Sequence, residues 1–174
     1  MTVSRYLAHY PTGLQQQVQA LIDGKNLTRF LRERYPVTHS VGNDKQLRDY
    51  VLALKNRYLK QSSPLSNVVF DNKLHVVHNA LGVHRSQGRI QGNKIKTKRD
   101  IRISSMFKQV PEEFLEMICV HELAHLKESE HNKAFYQLCC HMLPNYHQVE
   151  FDTRVYLTHL ELIGPVYTGA EPQE

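Results

Sequence analysis

The sequence predicts an α+β fold: an N-terminal helical extension, a small and mostly antiparallel sheet, then a buried helix carrying HExxH and a second helix after it. Three observations predict it. Apolar residues recur at helical spacing through the first third, the period changes to two from Val68, and helical spacing returns after Pro111. With 174 residues the chain is long enough to bury a core without disulfides or oligomerisation. We therefore expect a single domain, 1–174, with the helical extension over residues 1–62 and the core over 68–160.

Composition excludes several classes. No apolar run approaches the roughly 20 residues needed to span a bilayer, so no membrane association is expected. No secretory or lipidation signal is visible. Cys119, Cys139 and Cys140 are odd in number and contain no CxxC pair, which argues against a disulfide framework and against a cysteine metal site. These features lead us to expect a reduced, cytoplasmic, monomeric protein.

In chain order, TGLQQQVQALIDG places Leu14, Val18, Leu21 and Ile22 on one helical stripe, with Thr12 as N-cap and Gly24 as stop. KNLTRFLRERYP is a shorter helix ended by Pro36. DKQLRDYVLALKNRYLKQ carries Leu47, Val51, Leu54 and Tyr58 on one face behind an Asp44 cap, and SSPLSN is a loop. VVFDNKLHVV reads as a hairpin around Asp71-Asn72, and VHRSQGRIQGNKIKTK as a second hairpin turning at Gly92-Asn93. RDIRISS alternates Ile101 and Ile103 inward with Arg102 and Ser104 outward, as a half-buried strand does.

Pro111, Glu112 and Glu113 signal the start of the next helix, and its apolar residues on nearly all sides mark it as buried. A further helix spans about Asn132 to His141, EFDTRVYLTHLELIG is a last helix, and PVYTGAEPQE is expected to fray.

The chemistry is concentrated in VHELAHLKESEHNKAF, residues 120 to 135. Positions four apart on a helix differ by about 40° in azimuth and about 6 Å in rise, so His121 and His125 can reach one ion. Glu122 then lies beside that ion without being a ligand. HExxH on a helix has this mechanism: two imidazoles bind Zn²⁺ and the glutamate is the general base.

Two histidines leave a catalytic site incomplete, because such zinc usually takes three protein ligands and a water. On an unbroken helix His131 would stand about 15 Å along the axis from His121, out of reach. Its participation requires the helix to end near Lys127 to Ser129 and the chain to fold back, with Ser129 capping the next helix. The spacing equals HExxHxxGxxH, but Glu128 stands where that pattern has its turn glycine, which argues against a metzincin. Glu130, His141 and His147 are the alternative third ligands. His75 and His78 do not share a strand face, and His84 is expected to be exposed.

The segments IRISSMFKQVPEEFLEMICV and HELAHLKESEHNKAFYQLCCHMLP resemble the YgjP-like metal-dependent hydrolases, relatives of the SprT-type and WLM-type zinc metallopeptidases. The resemblance covers nearly the whole chain, and HELAH with His131 and Phe135 is its most specific part. It implies a zincin-like metallopeptidase core, Zn²⁺ held by His121, His125 and His131, and Glu122 as catalytic base. It implies no particular substrate.

The expected activity is zinc-dependent hydrolysis of a protein or peptide, with the strand Ile101–Ser105 as an edge that pairs with the extended substrate. Tyr136, Tyr146 and His147 are candidates for stabilising the oxyanion. A metal-binding module without peptidase activity is the alternative, although such a site needs no adjacent base. The net charge of +5 and the basic run of residues 84–102 add a further reading. There Arg85, Arg89, Lys94, Lys96, Lys98, Arg99 and Arg102 meet only Asp100 as counter-charge, which describes a solvated hairpin face or a weak nucleic-acid contact.

Overall fold

The computed structural model describes residues 5–74, 82–91 and 94–168, with side chains at all of these except 82–98. Three helices come first: α1 (Thr12–Asp23), α2 (Leu27–Arg34) and α3 (Asp44–Tyr58). Strands β1 (Leu65–Asp71), β2 (Gly82–Gln91) and β3 (Lys94–Ser104) follow. A short 3₁₀ turn, Ser105–Gln109, leads into α4 (Glu112–Ala124), α5 (Lys133–Met142) and α6 (Tyr146–Leu162). Among the described residues no helix is long and apolar enough to cross a membrane.

The expected order of helices, strands and helices is present, but the sheet is mixed rather than antiparallel. Its strand order is β1-β3-β2. β2 and β3 form the antiparallel hairpin that Gly92-Asn93 suggested, whereas β1 pairs with β3 in parallel, from Leu65 opposite Arg99 to Asp71 opposite Ser104. The turn residues themselves, 92 and 93, lie outside the described residues. Hairpin chemistry specifies only the neighbour across a tight turn. The place of β1 is set by burial, with Val68 and Phe70 joining Ile101 and Ile103 in one core.

β3 is consequently the central strand, and the expected edge at Ile101–Ser105 is not an edge: both of its sides are already hydrogen-bonded. The other expected hairpin, around Asp71-Asn72, is described only in its first arm. β1 stops at a turn in which the Lys73 amide donates to Asp71 Oδ1 (2.8 Å), and the second arm, with His75 and His78, falls in residues 75–81 outside the described set.

Several caps differ from expectation by a residue or more. Asn43, not Asp44, caps α3 by accepting from the Gln46 amide at 2.9 Å. Asp44 is thereby free to accept from the Phe70 amide at 2.8 Å, tying α3 to β1. Pro111 stands just before α4, and Asn132, not Ser129, caps α5.

α4 is the centre of the molecule. Ten of its residues, from Phe114 to Ala124, are buried among α3, α5, α6 and the sheet, which accounts for a helix apolar on almost every side. α6 lies against it and is tied to the N-terminal helices by a buried carboxylate. Asp152 accepts from the Tyr35 hydroxyl and from Gln148 Nε2 (3.0 Å), and pairs with Arg34 Nε at 2.8 Å. A buried charge is tolerated when it is paired and hydrogen-bonded in this way.

The segment after α6 does not fray as expected, at least to residue 168. Gly164 takes φ +119°, a conformation that side chains resist, and turns the chain back. Val166 and Tyr167 then enter the core, and the Tyr167 hydroxyl donates to the Leu31 carbonyl at 3.1 Å. The N-terminal helices are thus packed into the same core as α4 and α6.

Candidate metal centre

The centre begins where α4 stops. Helical structure ends at Ala124, with His125 at the cap position (φ −64°, ψ −12°), a few residues earlier than the expected break. Two tightened bonds, Leu126 to Leu123 and Lys127 to Ala124, close the end together with a last bond from Glu128 to Ala124, each at 3.0 Å. The only non-glycine residue with positive φ among those described is Lys25, so this turn needs no glycine, and Glu128 can occupy it. Asn132 then accepts from the Phe135 amide at 2.9 Å and starts α5 in a new direction.

This reversal brings His131 back over α4. His131 Nε2 lies 3.1 Å from His125 Nε2 and 3.2 Å from His121 Nε2. Two ligand nitrogens at about 2.0–2.1 Å from one tetrahedral ion would stand about 3.3 Å apart. The three histidines form the group among the described residues whose nitrogens lie together closely enough to hold a metal ion.

The partners of the other ring nitrogens support the same reading. His125 Nδ1 lies 2.9 Å from the Glu128 carbonyl oxygen, which can only accept, so Nδ1 carries the proton and Nε2 is a lone pair. His121 Nδ1 lies 2.7 Å from the Tyr146 hydroxyl. The lone pair on His125 Nε2 therefore faces the other two Nε2 atoms at a spacing that suits a shared cation. Burial, then the charges that His125, His131 and Arg154 would exert, hold His121 well below the usual imidazole range, which keeps it in the neutral ligand form.

Phe135, fully buried, forms the floor. Its ring centroid lies 4.9, 4.6 and 4.8 Å from those of His121, His125 and His131. One ring from α5 thus packs against all three imidazoles, and His131 itself is exposed, leaving the cluster open on one side. Glu122, one residue along from the first histidine, is 1% exposed, and its Oε2 has no hydrogen-bond partner. Burial pushes its carboxyl up to about 8. Glu122 thus puts a buried carboxyl group with an unpartnered oxygen one residue along the helix from the first of the three convergent imidazoles.

A model of the YgjP-like, metallopeptidase domain matches residues 8–152 of the chain. The chain belongs to the YgjP-like family. A curated relative from Escherichia coli (strain K12), named UTP pyrophosphatase, is 55% identical over 157 residues, covering 90% of this chain and 94% of that protein. No solved structure matches the chain.

In this YgjP-like chain the other expected site residues fall apart from the cluster. Glu130 is exposed, His141 packs its ring 5.8 Å from Tyr58, and His147 lies against Tyr136 at 5.3 Å. Of the three oxyanion candidates, Tyr146 is removed from that role: it is fully buried and its hydroxyl is engaged with His121. Sequence reasoning named Tyr146 as one of three oxyanion candidates without anticipating its contact with His121, and it overlooked the Glu128 carbonyl, since a backbone acceptor leaves no trace in residue identity. The buried Arg154, paired with Glu150 at 3.1 Å, was overlooked as well.

Proposed function

We propose that the chain is a zinc-dependent hydrolase of a nucleoside triphosphate, UTP foremost, in which His121, His125 and His131 hold the metal and Glu122 is the general base. The observation that carries the hydrolytic chemistry is the convergence of three Nε2 atoms beside a buried, unpartnered carboxylate. Three neutral imidazoles suit zinc among the common divalent ions. The substrate class is supported by the 55% identity, spread over nearly the full length of both proteins, to a relative named for UTP. The net charge of +5 favours capture of a polyanionic nucleotide.

What a divalent cation would supply here is Lewis acidity and a water pKa lowered towards about 7. A dication held by the imidazoles would favour the ionised form of Glu122, which then accepts the proton of the attacking water at Oε2. The water oxygen bonds to the α-phosphorus, the α–β anhydride P–O bond breaks, and pyrophosphate departs with the electron pair, leaving the nucleoside monophosphate. Glu128 and Tyr146 fix the two α4 imidazoles through Nδ1, and Phe135 keeps water from the back of the cluster.

Outer partners of metal-binding histidines typically contribute 10–100-fold in affinity. Tyr146→Phe keeps the ring and removes the hydroxyl, and should weaken zinc binding by that factor in a chelator competition. Unchanged affinity would show that Tyr146 merely packs.

Peptide hydrolysis by the same water and base is the second reading, favoured by the description of the matching domain as a metallopeptidase. Purified, zinc-loaded protein should be incubated in parallel with UTP, the other nucleoside triphosphates and an unfolded protein. Pyrophosphate release that a chelator abolishes supports the nucleotide reading. Fragmentation of the protein without pyrophosphate transfers the site to the second reading, and neither product would refute hydrolysis altogether.

A further inference from the structure

The β2–β3 hairpin is longer than the sheet it belongs to. β1 accompanies β3 only from Arg99 to Ser104, whereas β2 pairs with β3 from Lys94 to Ile103. Among the described residues, 87–91 and 94–98 therefore form a two-stranded ribbon with no third strand beside it.

The register sorts the basic residues. Successive strand positions alternate between faces, and residues directly opposite in an antiparallel pair share one. Lys94, Lys96, Lys98, Asp100 and Arg102 thus occupy the same face, together with their partners Gln91, Arg89, Gln87, Arg85 and Val83. The opposite face takes Ile95, Arg99, Ile101 and Ile103 with Ile90, and the complete burial of Ile101 and Ile103 identifies it as the core side. Six of the seven basic residues in the run consequently belong to the outer face, against Asp100 and the Asp71 that pairs with Arg102 at 3.0 Å.

We propose that this outer face binds the phosphate backbone of a nucleic acid, at a place separate from the imidazole cluster. α4, which bears His121, shares its core with Ile101 and Ile103, on the other side of the sheet. From the Arg102 row to the Lys94 row the basic positions span about 27 Å of strand at about 3.4 Å per residue. That matches about eight base pairs of one strand and is far too extended for a single triphosphate to neutralise. The run contains no aromatic residue on which bases could stack, so recognition is electrostatic, independent of sequence and strongly dependent on salt.

The test is fluorescence anisotropy of the full-length protein with a labelled 25-mer, as duplex DNA, single-stranded DNA and RNA, across a potassium chloride series. Neutralising four to six phosphates predicts a slope of log affinity against log salt of roughly −3.5 to −5.5 on duplex. Combined Lys94→Gln, Lys96→Gln and Lys98→Gln should weaken binding at least 10-fold and reduce the slope by about 3, with zinc content and thermal unfolding unchanged. Lys96→Gln alone, with a slope change of about 1, serves if the triple variant misfolds. Lys25→Gln with Arg29→Gln, cations on the α2 side, should change nothing.

No binding at low salt, or binding indifferent to the ribbon substitutions, would overturn the proposal. So would displacement by equimolar UTP, which would give these cations to the substrate. Tighter capture by phosphatidylserine vesicles than by any oligonucleotide would reassign the face to a membrane surface. None of these readouts depends on UTP being hydrolysed, so this proposal and the hydrolase reading fail separately.

Discussion

Glu122→Gln should yield a protein that keeps its zinc yet turns over substrate about 10²–10⁴-fold more slowly, the usual contribution of a positioned general base. Glutamine matches the carboxylate in shape but has no oxygen that can take a proton at neutral pH. Elemental analysis and single-turnover kinetics on the same preparation separate the two effects, and full turnover would remove Glu122 from the mechanism.

The same substitution has a thermodynamic signature in metal-free protein. Burial raises the Glu122 carboxyl from an ordinary 4.5 to about 8. Between these values the unfolded chain has released the proton and the folded one still holds it, so the folded state is penalised progressively as pH rises through that window. At pH 7 the penalty is on the order of 3 kcal/mol. Metal-free Glu122→Gln should therefore be the more stable protein at pH 7 by about that amount, and the advantage should vanish below about pH 4.5. Equal denaturant stability of the two at pH 7 would show that the carboxylate has found another partner.

His125→Ala should lose the metal itself. This imidazole is the one whose tautomer is settled, with Nδ1–H donating to the Glu128 carbonyl and Nε2 directed to His131. Its removal should weaken zinc binding by more than the 10–100-fold typical of an outer partner. A ligand that binds only the folded state stabilises it by about 4 kcal/mol when present at 1,000 times its dissociation constant. The wild-type protein should show that gain in thermal unfolding on adding zinc, and His125→Ala should show little of it. Stoichiometric zinc in the purified variant would end the assignment.

Much of this site was legible from residue order because it is local. HExxH at helical spacing places His121 and His125 together by helix geometry alone, and the polar stretch KESEHN marked a break before His131. The position of that break, the capping by Asn132 in place of Ser129 and the packing of Phe135 under all three rings depended on how α5 docks on α4. The alternation of Ile101 and Ile103 likewise announced a half-buried strand, yet alternation is blind to which strand lies on either side, and the centre of the sheet was taken for its edge.

From residue order alone came the helix and strand periods, the convergence of the first two imidazoles and the presence of an unshared carboxylate beside them. Tertiary structure decided the rest: the Tyr146 hydroxyl turned to His121, the docking of Val166 and Tyr167 that keeps the chain ordered past α6, and the strand register that assigns six basic positions of the β2–β3 hairpin to one face. The division has a physical cause. Backbone geometry repeats every few residues and is written into neighbouring side chains, whereas burial and strand order are settled by contacts between residues tens of positions apart, which no local spacing encodes.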